Sequence, residues 1–159
     1  MKTVSIDQAL LHSAIAIFED GRYLTHYSWT LKRKENTDEI CYDAFFHNIN
    51  LTITREKPDK VICEKMYLGF NAKIYGMLQE LVGIIRAICI MNNVEFEAIP
   101  TATYRSKLGV KNKKADVSEF IAKSFPELII NNDDESDAIA LGLAHCIMLE
   151  ERKNAQTSN

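Results

Sequence analysis

The chain has 159 residues, of which 47% are hydrophobic and 26% are charged, and its formal net charge is −3. This size and composition predict one globular domain and argue against a disordered or strongly basic protein. The sequence has no apolar run of about eighteen residues and no signal-peptide pattern, so we expect a soluble, cytoplasmic protein. The four cysteines lie far apart among apolar neighbours, which favours buried reduced thiols over a zinc site or disulfides.

The N-terminal part of the sequence predicts three strands. Residues Thr3–Asp7 and Ser13–Glu19 form short apolar runs, and Tyr23–Leu31 alternates aromatic and polar side chains. Asp20-Gly21 marks a turn between the second and third runs. Together these segments predict a three-stranded meander.

The rest of the sequence predicts strands and helices in alternation. In chain order we expect a helix that starts at an N-x-x-E capping pattern over 36–39 and stops at Lys57-Pro58, a buried strand at 61–63, a long helix at 71–92, a strand at 96–99, short helices at 103–108 and 117–124, and a last helix at 134–150. Helix 71–92 has too wide an apolar surface for one contact face, so we expect the sheet to cover one side and a partner subunit the other. We also expect one domain over residues 1–152 and a frayed tail over residues 153–159.

Charge is segregated along the C-terminal half of the chain. Residues 101–125 carry six cations and two anions, a net charge of +4, whereas residues 126–137 carry five acids and no base. An acidic cluster beside a basic surface is what a metal-dependent enzyme that grips a polyanion would need. Solvated loop lysines are an equally good explanation of the basic segment.

Four acids stand where chemistry could use them. Asp7 and Glu64 each end a predicted buried strand, and Asp134 and Asp137 lie three residues apart in the first turn of the last helix. Because functional groups collect beyond the carboxyl ends of strands in such sheets, these acids could meet in one oxygen-rich cage. Such a cage selects Mg²⁺ or Mn²⁺ over zinc, and two such ions serve displacement at a phosphodiester.

Each of these acids also has a purely structural explanation. Asp7 could end its strand, Glu64 could pair with Lys65, and Asp134 and Asp137 could complement the helix dipole. Their joint placement on one topology is what favours the metal site.

These motifs resemble those of the RuvC-type Holliday junction resolvases, which have a ribonuclease H-like fold. The resemblance rests on Asp7 in the first strand, on VICEKMYLGFN around Glu64, on IPTATYRSKLGV, and on DESDAIALGLAHC from Asp134 to Cys146. It covers nearly the whole chain, and small phage-encoded members look most similar. It implies an α/β fold with a ribonuclease H-like mixed sheet, a three-stranded meander plus parallel strands, flanked by helices.

The resemblance also implies a function and a site. Asp7, Glu64, Asp134 and Asp137 match the metal-binding acids and would hold Mg²⁺, with two ions per site and Mn²⁺ able to substitute. The activity would be hydrolysis of Holliday junctions and related branched DNA, with forks and D-loops as further candidates, to leave 5′-phosphate ends. Helix 71–92 matches the dimer helix, which implies a homodimer. The DNA-binding residues would be an aromatic stacked on a base, Tyr67, and the cations Arg105, Lys107, Lys111, Lys113 and Lys114.

The sequence departs from the family pattern at two places. Gln8-Ala9 follows Asp7 where the family commonly has Pro-Gly, and the family's lysines between Pro100 and Lys114 do not match one for one. The second departure leaves open which cation supports the transition state. A junction-binding module that does not cleave, with affinity from the basic segment, and a related nuclease acting on RNA or ordinary duplex are the alternative functions.

The other acids of the last helix have structural interpretations. We expect Asp133 to cap the helix together with Asn132 and Glu135 to point away from the metal-binding face. We expect His145, farther along the same helix, to be a core residue rather than a ligand.

Overall fold

The computed structural model describes residues 1–65, 67, 71–111 and 114–157, and for Lys114 it describes the backbone alone. Within these residues it contains five strands and five helices. They are β1 Lys2–Asp7, β2 His12–Glu19, β3 Arg22–Thr30, α1 Asp38–Glu56, β4 Lys60–Lys65, α2 Ala72–Met91, β5 Glu95–Pro100, α3 Thr101–Leu108, α4 Lys114–Ser124 and α5 Asp133–Thr157. The predicted α/β order is therefore confirmed.

The five strands form one mixed sheet in the order β3-β2-β1-β4-β5. Strand β2 is antiparallel to both β1 and β3, which is the predicted meander, and β4 and β5 continue the sheet parallel to β1. Strand β1 is central, so both of its faces are covered, and all of its residues from Thr3 to Ile6 are buried. The carboxyl ends of β1, β4 and β5 lie at the same edge of the sheet.

Alternating residues of the strands face two separate cores. The core beneath α1 and α2 takes Val4, Ile6, Ile15, Ile17, Val61 and Cys63 from the sheet. The core beneath α3, α4 and α5 takes Ala14, Ala16, Phe18, Ile62 and Ile99. This period of two is what a sheet covered on both faces requires.

Helix α5 packs very closely on the sheet because Gly142, at the contact, has no side chain. A Cβ atom added at Gly142 would lie 2.1 Å from Cε2 of Phe18 and 2.7 Å from Oγ of Ser5. Ser5 also donates a hydrogen bond of 2.7 Å to the backbone carbonyl of Ala138. Strand β1 therefore holds α5 directly, one residue beyond Asp137.

Side-chain caps explain where two of the helices begin. The side chain of Asn71 accepts hydrogen bonds of 3.1 Å from the backbone N–H groups of Lys73 and Ile74, at the start of α2. Helix α1 is capped by Thr37, whose hydroxyl accepts from the N–H of Ile40. The cap of α1 is therefore Thr37 rather than the predicted Asn36, because the Thr37 hydroxyl stands at the start of the first turn.

Helix α2 is the one helix of the described residues that is long and apolar enough to cross a membrane by length and composition. Core helices of soluble proteins pass the same test, and the inner face of α2 contributes Leu81, Ile85 and Ile88 to the core. Its outer face exposes Ile74, Ile90 and Met91. One side of α2 is thus covered as expected, and a partner for the other side stays a prediction.

The last helix is longer than the sequence pattern indicates. It runs to Thr157 rather than to Glu150, and its residues from Glu150 onward are exposed. The apolar pattern stops where the contact with the sheet stops, so the exposed turns carry no hydrophobic signal.

Candidate active site

Asp7 and Glu64 leave the sheet side by side. In the parallel pairing of β1 with β4, Ile6 lies opposite Cys63, so the next residue of each strand is one of the two acids. Both residues are partly buried at the edge of the sheet. This register places the backbones of Asp7 and Glu64 next to each other, because the ends of parallel neighbours lie together, and a shared ion stays a prediction.

Gln8 ties the ends of these two strands together. Its side-chain Nε2 donates to the backbone carbonyl of Glu64 at 2.7 Å, and its Oε1 accepts from the N–H of Glu64 at 3.2 Å. The side-chain amide thus pairs with Glu64 as a further peptide unit of β1 would. Since Gln8 is buried, with 2% of its surface exposed, it fixes the backbone of Glu64 beside Asp7.

Helix α5 brings the other two acids to this edge. Asn132 caps the helix, because its Oδ1 accepts from the N–H of Glu135 at 2.9 Å. Asp133 instead lies in the first turn and accepts a hydrogen bond of 2.9 Å from Ser118 of α4. The cap is therefore Asn132 rather than Asn132 together with Asp133, because Asp133 is already the first residue of the helix and Asn132 precedes it.

Asp137 is a buried acid with a cation and a phenol beside it. Its Oδ1 lies 3.5 Å from the hydroxyl of Tyr104 and 3.8 Å from a terminal guanidinium nitrogen of Arg105. Asp137, Tyr104 and Arg105 are all less than a tenth exposed. Asp134 is half-buried one turn earlier and on the same side of the helix, as the spacing of three predicts.

The charges of Glu64 and Asp137 act on the same neighbours. Burial raises the pKa of Tyr104 well above its ordinary value, and the nearby carboxylates of Asp137 and Glu64 raise it further. Burial works to lower the pKa of Arg105, but the contact with Tyr104 and the charges of Asp137 and Glu64 raise it overall. The two acids, which are far apart in sequence, therefore share one electrostatic environment.

Helix α3 supplies the side chains that contact these acids. It begins directly after β5, at the same sheet edge, and Thr101, Tyr104 and Arg105 lie on one of its faces by their spacing of three and four. The hydroxyl of Thr101 donates to Oε1 of Glu64. The contact observed for the Glu64 side chain is therefore with Thr101, and not with Lys65 as the structural alternative expects.

Glu135 points away from these acids, as predicted, and it is buried. Its carboxylate accepts from the Ser28 hydroxyl and from the backbone N–H of Asn131, and only 2% of the residue is exposed. Burial works to raise the pKa of Glu135, but the donors from Asn131 and Ser28 and the nearby His26 lower it overall. His145 is buried in the core of α5, as predicted.

The donor chemistry of this edge fits a hard divalent cation. Asp7, Glu64, Asp134 and Asp137 offer carboxylate oxygens alone, which is the set that Mg²⁺ prefers. Within the described ranges, no group of three or more Asp, Glu, His or Cys side chains is already arranged to hold an ion. The side chains of Glu64 and Asp137 contact Thr101 and Arg105 instead, so ion binding would have to reorient them.

The predicted DNA-binding residues occupy different environments. Tyr67 is 62% exposed and Lys111 is exposed, as a binding surface requires. Lys107 is partly exposed and pairs with Glu151 of α5, whereas Arg105 is buried beside Asp137. Lys113 and the side chain of Lys114 lie outside the described residues.

Three residues with structural contacts at this site are not predicted as such from the sequence. Gln8 and Thr101 contact Glu64, and Glu135 contacts β3. The spacing of Thr101, Tyr104 and Arg105 on a short helix after Pro100 was a usable signal. No signal in the sequence pointed to Gln8, since its partners are backbone atoms of a distant residue.

Two solved structures have the same fold. The chain has the RuvC-type, ribonuclease H-like fold: RuvC of Thermus thermophilus in complex with a Holliday junction substrate superposes with a TM-score of 0.79 at 14% identity, covering 95% of this chain and 96% of that one. The Fowlpox virus resolvase in complex with Holliday junction DNA gives a TM-score of 0.62 at 20% identity, covering 94% and 99%.

A sequence relative agrees with the structural likeness. The crossover junction endodeoxyribonuclease RuvC of Brachyspira hyodysenteriae is 25% identical over 149 residues, which is 91% of this chain and 93% of that protein. No protein-family model matches the chain. The resemblance to RuvC-type resolvases inferred from the motifs is confirmed.

Proposed function

We propose that this protein is a crossover junction endodeoxyribonuclease that resolves Holliday junctions and related branched DNA in the cytoplasm. It acts with Mg²⁺ held by Asp7, Glu64, Asp134 and Asp137 and leaves 5′-phosphate ends. The observation that carries the proposal is the parallel register of β1 and β4, which ends Asp7 and Glu64 side by side at one edge of a sheet with the RuvC-type fold. Helix α5 supplies Asp134 and Asp137.

The reaction is hydrolysis of a phosphodiester. An oxygen atom of water bonds to phosphorus while the bond between phosphorus and the 3′ oxygen breaks. The water loses a proton and the leaving 3′ oxygen gains one, so one fragment of the cut strand carries a 5′-phosphate and the other a 3′-hydroxyl. When bound, Mg²⁺ would lower the pKa of the attacking water and stabilise the charge on the leaving oxygen. The four carboxylates are the residues that would hold it.

The neighbours of the acids limit their mutual repulsion and fix their directions. Arg105, buried beside Asp137, brings a positive charge into an acidic cluster. Thr101 and Gln8 hold the side chain and the backbone of Glu64, respectively. Such contacts reduce the reorganisation needed when the transition state forms.

Branched DNA would be bound by the exposed side chains around this edge. Tyr67 lies three residues beyond Glu64, where an exposed aromatic ring can stack on an unpaired base. Lys107, Lys111, Lys113 and Lys114 would contact phosphates, which gives affinity that falls with salt. A second copy of the chain, paired through the exposed apolar face of α2, would place two sites on opposing strands.

The test uses a four-way DNA junction labelled on each strand. We expect the unaltered protein with Mg²⁺ to cut opposing strands, and Asp7→Asn to bind the junction equally well but lose at least a hundredfold in rate. The matched control is Asp43→Asn, since Asp43 is an exposed acid on α1. It should cut at the normal rate.

The outcomes separate the alternatives. Unchanged cutting by Asp7→Asn would remove these acids from the mechanism. Tight junction binding by the unaltered protein, without cutting in Mg²⁺ or Mn²⁺, would identify the non-cleaving binding module. Equal cutting of linear duplex or RNA would identify a related nuclease of different substrate.

A further inference from the structure

The first turn of α5 carries one acid that faces away from the candidate metal site. Glu135 lies between Asp134 and Asp137 in sequence, yet its side chain is turned toward the edge strand β3. It is the most buried acid of that turn, with 2% of its surface exposed. A buried carboxylate is costly unless it is hydrogen-bonded, so its contacts need an explanation.

Part of the contact set is a helix cap. The backbone N–H of Asn131 donates to Oε2 of Glu135 at 2.7 Å, and the N–H of Glu135 donates to the side chain of Asn132 at 2.9 Å. This capping arrangement is similar to a capping box, except that the carboxylate accepts from Asn131, the residue before the cap, rather than from Asn132 itself. It would be complete without any residue from the sheet.

The remaining contacts join the helix to β3. The hydroxyl of Ser28 donates to Oε1 of Glu135 at 2.6 Å, and Nε2 of His26 lies 3.3 Å from Oε2. His26 and Ser28 are two apart on β3, so they lie on the same face of the strand. Ser28 also accepts from the side chain of Asn132 at 3.2 Å. Strand β3 therefore contacts both side chains of the capping arrangement, Asn132 and Glu135.

The side chain of His26, which contacts Glu135 from β3, is held in place by its own neighbours. The ring of His26 is hydrogen-bonded at Nδ1 to the hydroxyl of Tyr23, and the side chain of His26 is 10% exposed. The Tyr23 ring packs edge-on against Phe18 in the core at a centroid distance of 5.9 Å. The position of the His26 ring is thereby fixed by the core beneath α5.

We propose that Glu135 is a positioning residue that docks the first turn of α5 onto β3 and so sets where Asp134 and Asp137 stand relative to Asp7 and Glu64. This role rests on the proposed function for its catalytic consequence. The docking itself does not depend on that function. The carboxylate of Glu135 is bound both by the start of α5 and by β3, whereas a helix cap alone would need no contact with β3. The contact acts through the helix and does not touch substrate.

The test compares four variants. Glu135→Ala removes all contacts of the side chain, and Glu135→Gln keeps its shape and part of its hydrogen bonding. Ser28→Ala removes the hydroxyl of β3 that contacts Glu135 and Asn132, and it leaves the contact from His26. Asp133→Asn is the matched control, because it changes an acid of the same turn whose observed partner, Ser118, lies on α4. Each protein is first checked for the normal circular dichroism spectrum and cooperative unfolding.

Three measurements read the position of the turn. Hydrogen exchange reports the opening of the amides of residues 133–137, titration with Mn²⁺ reports the affinity of the acids, and labelled junction DNA reports affinity and cutting rate separately. We expect Glu135→Ala to speed the exchange about tenfold or more and to weaken Mn²⁺ binding by about tenfold to a hundredfold. Glu135→Gln and Ser28→Ala should fall between Glu135→Ala and the unaltered protein, with junction affinity changed less than about twofold.

The outcomes distinguish positioning of the helix turn by Glu135 from a general effect of removing one negative charge from that turn. Normal exchange and normal Mn²⁺ affinity in Glu135→Ala would overturn the proposal, and so would an equal loss of Mn²⁺ affinity in Asp133→Asn. If Glu135→Ala does not fold, Ser28→Ala decides by the same measurements. If the unaltered protein neither binds Mn²⁺ nor cuts the junction, the proposed function has failed, and faster exchange in Glu135→Ala but not in Asp133→Asn still supports the docking of the turn.

Discussion

Replacing Gly142 with alanine should lift α5 from the sheet. The new methyl carbon would lie 2.1 Å from a ring carbon of Phe18, whereas ordinary carbon contacts are about 3.5 to 4.0 Å, so a displacement of at least ~1.4 Å is required. Phe18 is 1% exposed, and the Ser5 hydroxyl would lie 2.7 Å from the same carbon, so two buried side chains would have to move. Overpacking of this size costs about 3 kcal/mol, and the higher helix propensity of alanine returns about 1 kcal/mol. The net loss of stability is about 2 kcal/mol.

The control for this prediction is a second helical glycine with the opposite expectation. A Cβ atom at Gly83 of α2 would meet nothing within 4 Å, so Gly83→Ala should stabilise the protein by up to about 1 kcal/mol. Thermal and urea unfolding should show Gly142→Ala lower in Tm by about 4 to 8 °C and Gly83→Ala higher by about 2 to 4 °C. If Gly142→Ala raised the Tm as Gly83→Ala does, the close packing of α5 on the sheet would be refuted.

Two further predictions concern the strand ends and the pH range of stability. Gln8→Ala should slow the cutting of junction DNA by about tenfold or more and leave junction affinity unchanged, because Glu64 loses the side-chain amide that holds its backbone. Equal cutting rates for the variant and the unaltered protein in a single-turnover assay would contradict this. Burial lowers the pKa of His145, which also lies near the charge of Lys60. The folded protein therefore favours the neutral imidazole, and the unfolded chain binds the proton more readily. The stability due to His145 is present above the unfolded-state pKa of about 6.5 and is lost as the pH falls below that value. His145→Gln should therefore show a smaller drop in Tm from pH 7.5 to pH 5 than the unaltered protein, whereas the exposed His47→Gln should show the same drop.

The fold could be predicted from the sequence because its signals are local. The alternation in β2 and β3, the apolar run of β4 and the wide apolar face of α2 each appear within one element. The end of α5 could not be placed, because its last turns are exposed and their helical structure leaves no hydrophobic pattern. The cap of α1 was displaced by one residue, an error that arises because Asn36 and Thr37 are both good capping residues.

The candidate site could be predicted only where it follows from strand topology. Asp7 and Glu64 end parallel neighbours, so their adjacency follows from the order of the elements alone. The burial of Arg105 could not be foreseen, because a run of cations in the sequence resembles an exposed surface whichever residues face inward. Here the helix that starts at Pro100 turns Tyr104 and Arg105 toward Asp137 and leaves Lys107 outside.

The acidic first turn of α5 is explained by a division of its contacts among neighbouring elements. Asp133 is held by Ser118 of α4, Glu135 by Ser28 of β3, and Asp137 lies beside Arg105 of α3. Three acids within five residues repel one another, and each such contact lowers that cost while it also fixes the turn in one direction. A turn fixed from three sides cannot rotate to relieve the repulsion between Asp134, Asp137 and the strand-end acids. A bound cation would relieve the repulsion that is left at the site edge, so metal affinity should depend on the contacts of Glu135 with β3 and of Asp137 with α3 as well as on the four carboxylates.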